Sequence, residues 1–220
     1  MYLDNSYEHL KSVTEIKQSI PDLNEKCERC REYFMKPRTK SIKGLDVQMG
    51  MFLEDLIIDY LSSVIGVKAI HGDKLNKKYP DCMVLKPDKQ IAAYFEVKYH
   101  CAPFLTSYQH IGRPCYEGSA TLDFEKVIKQ IEIIESDLDR PTFYLHWIDY
   151  PCLKGIFFET SEQVKDYLYE TGIEFERKER EGDFTIVKKV GYTNKVYSPL
   201  LYMGNFDEFI SYLTKLVREK

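Results

Sequence analysis

Apolar positions along the chain change period several times, and each change marks an element. From Asp46 to Ile65 they recur at helical spacing. Val47, Gly50, Met51, Ile58, Leu61 and Ile65 fall on one stripe, with Glu54 at its centre and Leu53, Phe52 and Leu56 lining further sides. The spacing predicts a deeply packed helix with Asp46 as its N-cap. Val67 to Ile70 predicts a short strand, and His71-Gly72-Asp73 a turn. Two short runs, Cys82–Leu85 and Gln90–His100, then flank Lys86-Pro87-Asp88-Lys89. Pro and Asp there are turn residues, so the runs predict a hairpin. Side chains alternate faces along a strand. Ile91, Ala93, Phe95 and Val97 therefore share one apolar face, and Ala92, Tyr94, Glu96 and Lys98 share the other.

Helical spacing returns between Leu122 and Leu138, with Thr121 as a cap and Phe124, Val127, Ile128, Ile131 and Ile133/Ile134 as the apolar face. Pro141 to Tyr150 is apolar on both faces, as a central strand is. Strand, helix and strand in succession imply a right-handed crossover and a parallel pair beside the hairpin. Downstream, Gly155–Glu159 predicts a strand, Ser161–Thr171 a capped helix, Ile173–Arg177 with Phe184–Val190 a hairpin, and Phe206–Val217 a last helix capped by Asn205. Upstream, residues 6–19 and 22–35 read as helices parted by Pro21-Asp22. The fold class is α/β: a central mixed sheet flanked by helices over residues 46–220, with a small helical appendage and a basic linker over residues 1–45.

The hairpin carries the candidate chemistry. Glu96 and Lys98 project from one side of an otherwise apolar strand, and Asp81 opens the strand before it. Two carboxylates beside a lysine suit a hard divalent ion, which takes oxygen ligands and keeps several waters. The lysine can orient or deprotonate an attacking water, or offset charge developing on a phosphate. An isolated buried carboxylate is costly unless it is paired or metal-bound. Glu54 is therefore either salt-bridged to a core cation or a third acid near the metal, and the second is favoured.

Pro80-Asp81, fourteen intervening residues, then Glu96-Val97-Lys98 resembles the motif of the PD-(D/E)XK nuclease superfamily over roughly residues 46 to 150. The resemblance implies a restriction-endonuclease-like core and Mg²⁺-dependent hydrolysis of phosphodiester bonds, with Mn²⁺ able to substitute. It assigns the metal to Asp81, Glu96 and the Val97 backbone carbonyl, the water to Lys98, and a supporting acid to Glu54 through Gly50-x-x-x-Glu54. Members often borrow a polar residue from the helix after the motif strand, here Gln130 or Lys126. A small stand-alone member is expected to cut double-stranded DNA as a homodimer, most like a sequence-specific type II restriction endonuclease. A resolvase-like or repair nuclease is the alternative within the superfamily.

Composition changes this picture little. The 220 residues suit one globular unit, with 44% hydrophobic residues, 17 Tyr and 12 Phe for a core. Net charge is −4, so no overall basic surface advertises nucleic acid. Local clusters remain. Lys36, Arg38, Lys40 and Lys43 form either a solvated linker or a phosphate-contacting loop. The aperiodic stretch 100–120 offers Ser107, Gln109, His110 and Arg113 as base or phosphate contacts. His146 reads as a satisfied core histidine. Cys27-x-x-Cys30 lacks the second pair a structural zinc site needs, so free thiols are the favoured reading of the six cysteines. Met1-Tyr2-Leu3-Asp4-Asn5 is not a secretory signal and no run approaches ~18 apolar residues, so the expected compartment is the cytoplasm. Readings from other classes are a non-catalytic nucleic-acid-binding module with this fold, and a zinc or redox protein built on Cys27 and Cys30.

Overall fold

The computed structural model describes residues 43–100, 120–149, 154–171, 175–178, 192–198, 200 and 203–218. In chain order the elements are α1 (Lys43–Tyr60), β1 (Ala69–His71), β2 (Cys82–Leu85), β3 (Ile91–His100), β4 (Ala120–Asp123), α2 (Phe124–Ile133), β5 (Thr142–Asp149), β6 (Lys154–Thr160), α3 (Ser161–Thr171), β7 (Phe175–Lys178), β8 (Tyr192–Ser198), β9 (Gly204–Asn205) and α4 (Phe206–Arg218). Six strands form a mixed sheet in the order β1-β2-β3-β5-β6-β9. The pair β3/β5 is parallel and its neighbours are antiparallel, as the crossover argument requires. A second sheet, β4-β8-β7, was not foreseen, because Ala120–Asp123 reads as the approach to a helix until Val196 and Tyr197 supply a partner strand.

Helices α1 and α4 cover one face of the large sheet. Leu53, Ile57 and Leu61 of α1 and Phe206, Phe209 and Leu213 of α4 pack there with Ala93, Phe95, Val97, Phe143 and Leu145. Phe209 meets Phe95 and Phe143 edge-on, with centroids 6.0 and 5.4 Å apart, which suits the ring quadrupoles. The opposite face carries Met83, Tyr94, Tyr144 and Phe157 under α2, α3 and the small sheet. Both α1 and α2 end in one π-helical turn, Leu61–Ile65 and Ile134–Leu138. The first is closed by Gly66 at φ 74°, a left-handed backbone that glycine adopts without cost.

The hairpin forms as predicted. Lys86 N–H donates to Gln90 O, and Gln90 N–H to the Asp88 carboxylate. Several local expectations are corrected. Helix α1 begins at Lys43, so Asp46 lies inside it and is not its cap. Its buried row is Leu53-Ile57-Leu61, whereas Met51 and Phe52 are 50% and 46% exposed and Glu54 sits at the flank of the row. Apolar residues ring this helix, so hydrophobicity alone could not set the phase. Ile91 joins the cluster of Tyr94 instead of that of Phe95, because the register slips by one residue beside Val84/Leu85. That slip leaves Ala92 as an extra residue and reverses the alternation behind it. His71 ends β1 and is not in the turn. Thr121 is in β4, and Asp123 precedes α2. The cap of α3 is Thr160, not Ser161: Thr160 Oγ1 accepts from Gln163 N–H and the Gln163 side chain accepts from Thr160 N–H. Asn205 caps α4 with Glu208 in the same reciprocal way, as foreseen. The two helices expected over residues 6–35 and the strand at Phe184–Val190 lie outside the described residues.

Phe209 is fully buried among aromatic rings. Phe209→Ala is expected to lower the unfolding free energy by about 3–5 kcal/mol, read from the urea midpoint. A loss under ~1 kcal/mol would mean that α4 does not pack on this sheet.

Candidate active site

Asp81 is placed by three backbone facts. Pro80 before it cannot donate a backbone hydrogen bond. Its carbonyl accepts from Gly72 N–H at 2.8 Å, which ties it to the bend after β1. Gly72 is required there, since a Cβ would stand 2.6 Å from Pro80 O. The next residue, Cys82, pairs with Phe95, so Asp81 faces Glu96 across the hairpin. The two residues interlock: Asp81 N–H donates to Glu96 Oε2 at 3.1 Å and Val97 N–H donates to Asp81 Oδ2 at 3.0 Å.

Glu96 is only 1% exposed. Its Oε1 accepts from Lys98 Nζ at 2.5 Å and from Lys126 Nζ at 2.6 Å. Burial opposes ionisation of this carboxyl, but the two ammonium groups outweigh it and bring its pKa down to about 2. Burial also opposes the charge on Lys98, yet Glu96 and Asp81 hold its pKa well above the lysine range. Lys98 is therefore a fixed cation. As a cation it can orient a water or neutralise a phosphate.

The other two acids are shifted the opposite way. Burial, and then the charge of Glu96, push Asp81 up to about 6. Burial, and then the charge of Asp81, push Glu54 up to about 7, with His71 opposing. Glu54 Oε2 is 3.6 Å from His71 Nδ1, and Asp55 Oδ1 accepts from His71 Nε2 at 2.7 Å. A histidine thus stands beside Glu54, where a core Arg or Lys was the other expectation. Sequence reading missed His71, because the contact joins a strand end to a helix that precedes it.

All the donors here are oxygens, which suits Mg²⁺ or Mn²⁺. Burial first, and neighbouring carboxylate charge second, raise Asp81 and Glu54, and Asp81 interlocks with Glu96, so the oxygen donors of these three acids fit a divalent ion. Among the described residues no three or more His, Cys, Asp or Glu stand already gathered as a ligand cluster. Instead Lys98 and Lys126 supply positive charge to Glu96.

The strand face that bears Glu96 and Lys98 continues to His100. Lys98 is register-paired with His146 of β5, and Glu96 with Tyr144. Tyr144 OH donates to the buried Gln130 side chain at 3.2 Å, so both polar residues expected from α2 reach this face. His146, fully buried, stands 2.8 Å from Glu159 Oε1 through Nε2 and 3.0 Å from His100 Nε2 through Nδ1. It is satisfied, as expected, but by ionisable partners on two other strands. Cys82 is a buried free thiol, and burial raises its pKa far out of the reactive range. Lys36, Arg38, Lys40, Ser107, Gln109, His110, Arg113, Cys27 and Cys30 lie outside the described residues, and Lys43 falls in the first turn of α1.

No protein-family model and no curated protein matches the chain. Among solved structures, a nuclease from a fusselovirus aligns with 82% of this chain and 97% of its own, at 13% identity and a TM-score of 0.42. No helix among the described residues is long and apolar enough to cross a membrane.

The opposed shifts give a pH signature. Glu54 and Asp81 have folded pKa values raised above their ordinary 4.5 and 3.8, so their ionisation costs stability as pH rises towards 7. Glu96 is depressed, so its contribution is intact above 4.5 and is lost only as pH falls towards 2. In chelator, the melting temperature is therefore expected to rise from pH 7.5 to pH 5.5, and Glu54→Gln to flatten that rise. A variant that keeps the full slope would show that Glu54 is not so shifted.

Proposed function

We propose that this chain is a metal-dependent DNA endonuclease that hydrolyses phosphodiester bonds. The observation that carries the reading is the interlocked pair Asp81 and Glu96, with the Lys98 ammonium 2.5 Å from the Glu96 carboxylate. Asp81 and Glu96 would hold the ion, with the Val97 carbonyl and Glu54 as further oxygen donors. A bound Mg²⁺ or Mn²⁺ supplies charge that grips phosphate oxygens and activates water. The chain supplies the rest. Lys98 and Lys126 place two ammonium charges beside the carboxylates, where they can meet the negative charge that builds on the phosphate. Tyr144 and Gln130 wall the site on the α2 side through their mutual hydrogen bond.

The substrate reading, double-stranded DNA cut by a homodimer, rests on the motif and on the cations and polar side chains at Lys36–Lys43 and Ser107–Arg113. One active site per chain and two strands to cut call for two copies. Sequence-specific restriction is the finer reading; recombination or repair cleavage is its rival.

Purified protein with Mg²⁺ is expected to linearise plasmid DNA, and chelator to stop it. Asp81→Asn and Lys98→Met are each expected to slow cleavage by ~10²-fold or more, as loss of a charge-stabilising group does. Discrete fragments from a long natural DNA support restriction. Cleavage of branched DNA alone supports the rival. No cleavage of linear, supercoiled or branched DNA with either ion would end the reading.

A further inference from the structure

Beside the carboxyls of the candidate site stands a histidine that the Asp81, Glu96 and Lys98 motif does not include. His71 ends β1 and pairs in register with Cys82, and the Gly72 N–H after it binds Asp81 O at 2.8 Å. His71 therefore sits next to Asp81. From α1, Asp55 Oδ1 comes within 2.7 Å of His71 Nε2 and Glu54 Oε2 within 3.6 Å of His71 Nδ1. Asp81 and Asp73 are both near enough for their charges to act on Glu54.

Hydrogen-bond chemistry fixes the state of the ring. A carboxylate only accepts, so the Asp55 contact puts a hydrogen on His71 Nε2. In a neutral imidazole Nδ1 then carries a lone pair, and it faces Glu54. Nδ1 is buried and has no hydrogen-bond partner among the described residues. An imidazolium would draw the Glu54 carboxylate in to about 2.8 Å. The 3.6 Å gap is too long for that bond. It does suit two ligands of one ion, because donors each about 2.1 Å from a metal stand roughly 3 to 4 Å apart, according to the angle between the bonds. A carboxylate on the other ring nitrogen is the usual companion of a metal-bound histidine: it fixes the tautomer and raises the basicity of the ligating nitrogen. Asp73 Oδ1 is a further buried atom with no hydrogen-bond partner among the described residues.

We propose that His71 Nδ1 and Glu54 Oε2 hold a second divalent cation, a first-row transition-metal ion, with Asp55 as the positioning residue for the imidazole. Waters take its remaining positions, as they do around ions held by one or two side chains, and Asp73 Oδ1 accepts from one of them. An imidazole donor favours transition ions, whereas Mg²⁺ prefers an all-oxygen set. Asp81, Glu96 and the Val97 carbonyl offer that set. A carboxylate has two oxygens, so Glu54 can serve both ions. The second site does not depend on the nuclease reading.

Binding and spectroscopy test it without DNA. Full-length protein, stripped with chelator, is titrated in a calorimeter with Mn²⁺, Co²⁺ or Mg²⁺ alone. Affinity is expected to rise from Mg²⁺ through Mn²⁺ to Co²⁺. Both His71→Gln and Asp55→Asn are expected to weaken one Mn²⁺ site by ~10- to 100-fold while Mg²⁺ binding stays as it was. Electron spin echo spectra of bound Mn²⁺ are expected to show coupling to a ligand nitrogen in the native protein and none in His71→Gln. Native protein saturated with Mn²⁺ and lacking nitrogen coupling would overturn the proposal. So would unchanged Mn²⁺ binding in His71→Gln, or an equal loss for Mn²⁺ and Mg²⁺, which marks a structural role. Should His71→Gln fail to fold, the native echo spectrum and the exposed Asp55→Asn change decide, and unaltered Mn²⁺ affinity in the latter sinks the site. Cleavage of DNA by a protein that fails these tests leaves the nuclease reading standing. Nitrogen-ligated Mn²⁺ in a protein that cuts nothing leaves the second site standing.

Discussion

Glu96 is a carboxylate kept ionised in a place where burial alone would neutralise it. Two ammonium groups on one of its oxygens do this, and a backbone N–H from Asp81 holds the other. Lys98 comes from the same strand and Lys126 from α2, so the charge on Glu96 ties the sheet to the helix above it. The backbone link to Asp81 ties the strand to the start of β2. Burial first, and then the charge of neighbouring carboxylates, raises the pKa of Asp81 and Glu54. The site is therefore charged unevenly before any ligand arrives: one acid fully ionised, two reluctant.

That unevenness bears on what each residue can do. A lysine beside a single carboxylate on a wet surface trades its proton at about the ordinary pKa. Lys98, partly buried and paired with Glu96, does not. Beside Glu96 it stands as a positive charge on this face. His100 is the next residue on that face. Its connection to a buried carboxylate through His146 is the kind of arrangement that sets a histidine's tautomer.

Legibility in the sequence followed the range of the interactions. The hairpin, the parallel neighbour, the capping of α4 and the convergence of Asp81, Glu96 and Lys98 depend on turn residues, alternation and crossover handedness, all of which are local or topological. They could be read. The phase of α1 could not, because Met49, Met51 and Phe52 are apolar yet exposed, and the eye groups them with Leu53 and Ile57. The face of Ile91 was misread because a single extra residue, Ala92, breaks the alternation. The small sheet was invisible because β4 finds β8 only after α2, β5, β6, α3 and β7 have intervened. His71 and the Glu159–His146–His100 chain were missed for the same reason: each joins strands or a helix that no spacing rule connects.

Glu96-x-Lys98-x-His100 was nonetheless visible as three polar residues on one strand face. What the sequence lacked was a reason to prefer His100 over a solvated strand end. The structure supplies that reason through His146, whose two nitrogens are engaged by groups on strands either side of it. A fully buried histidine between two ionisable partners is held by its hydrogen bonds to both, and a leucine there would leave Glu159 and His100 without that partner.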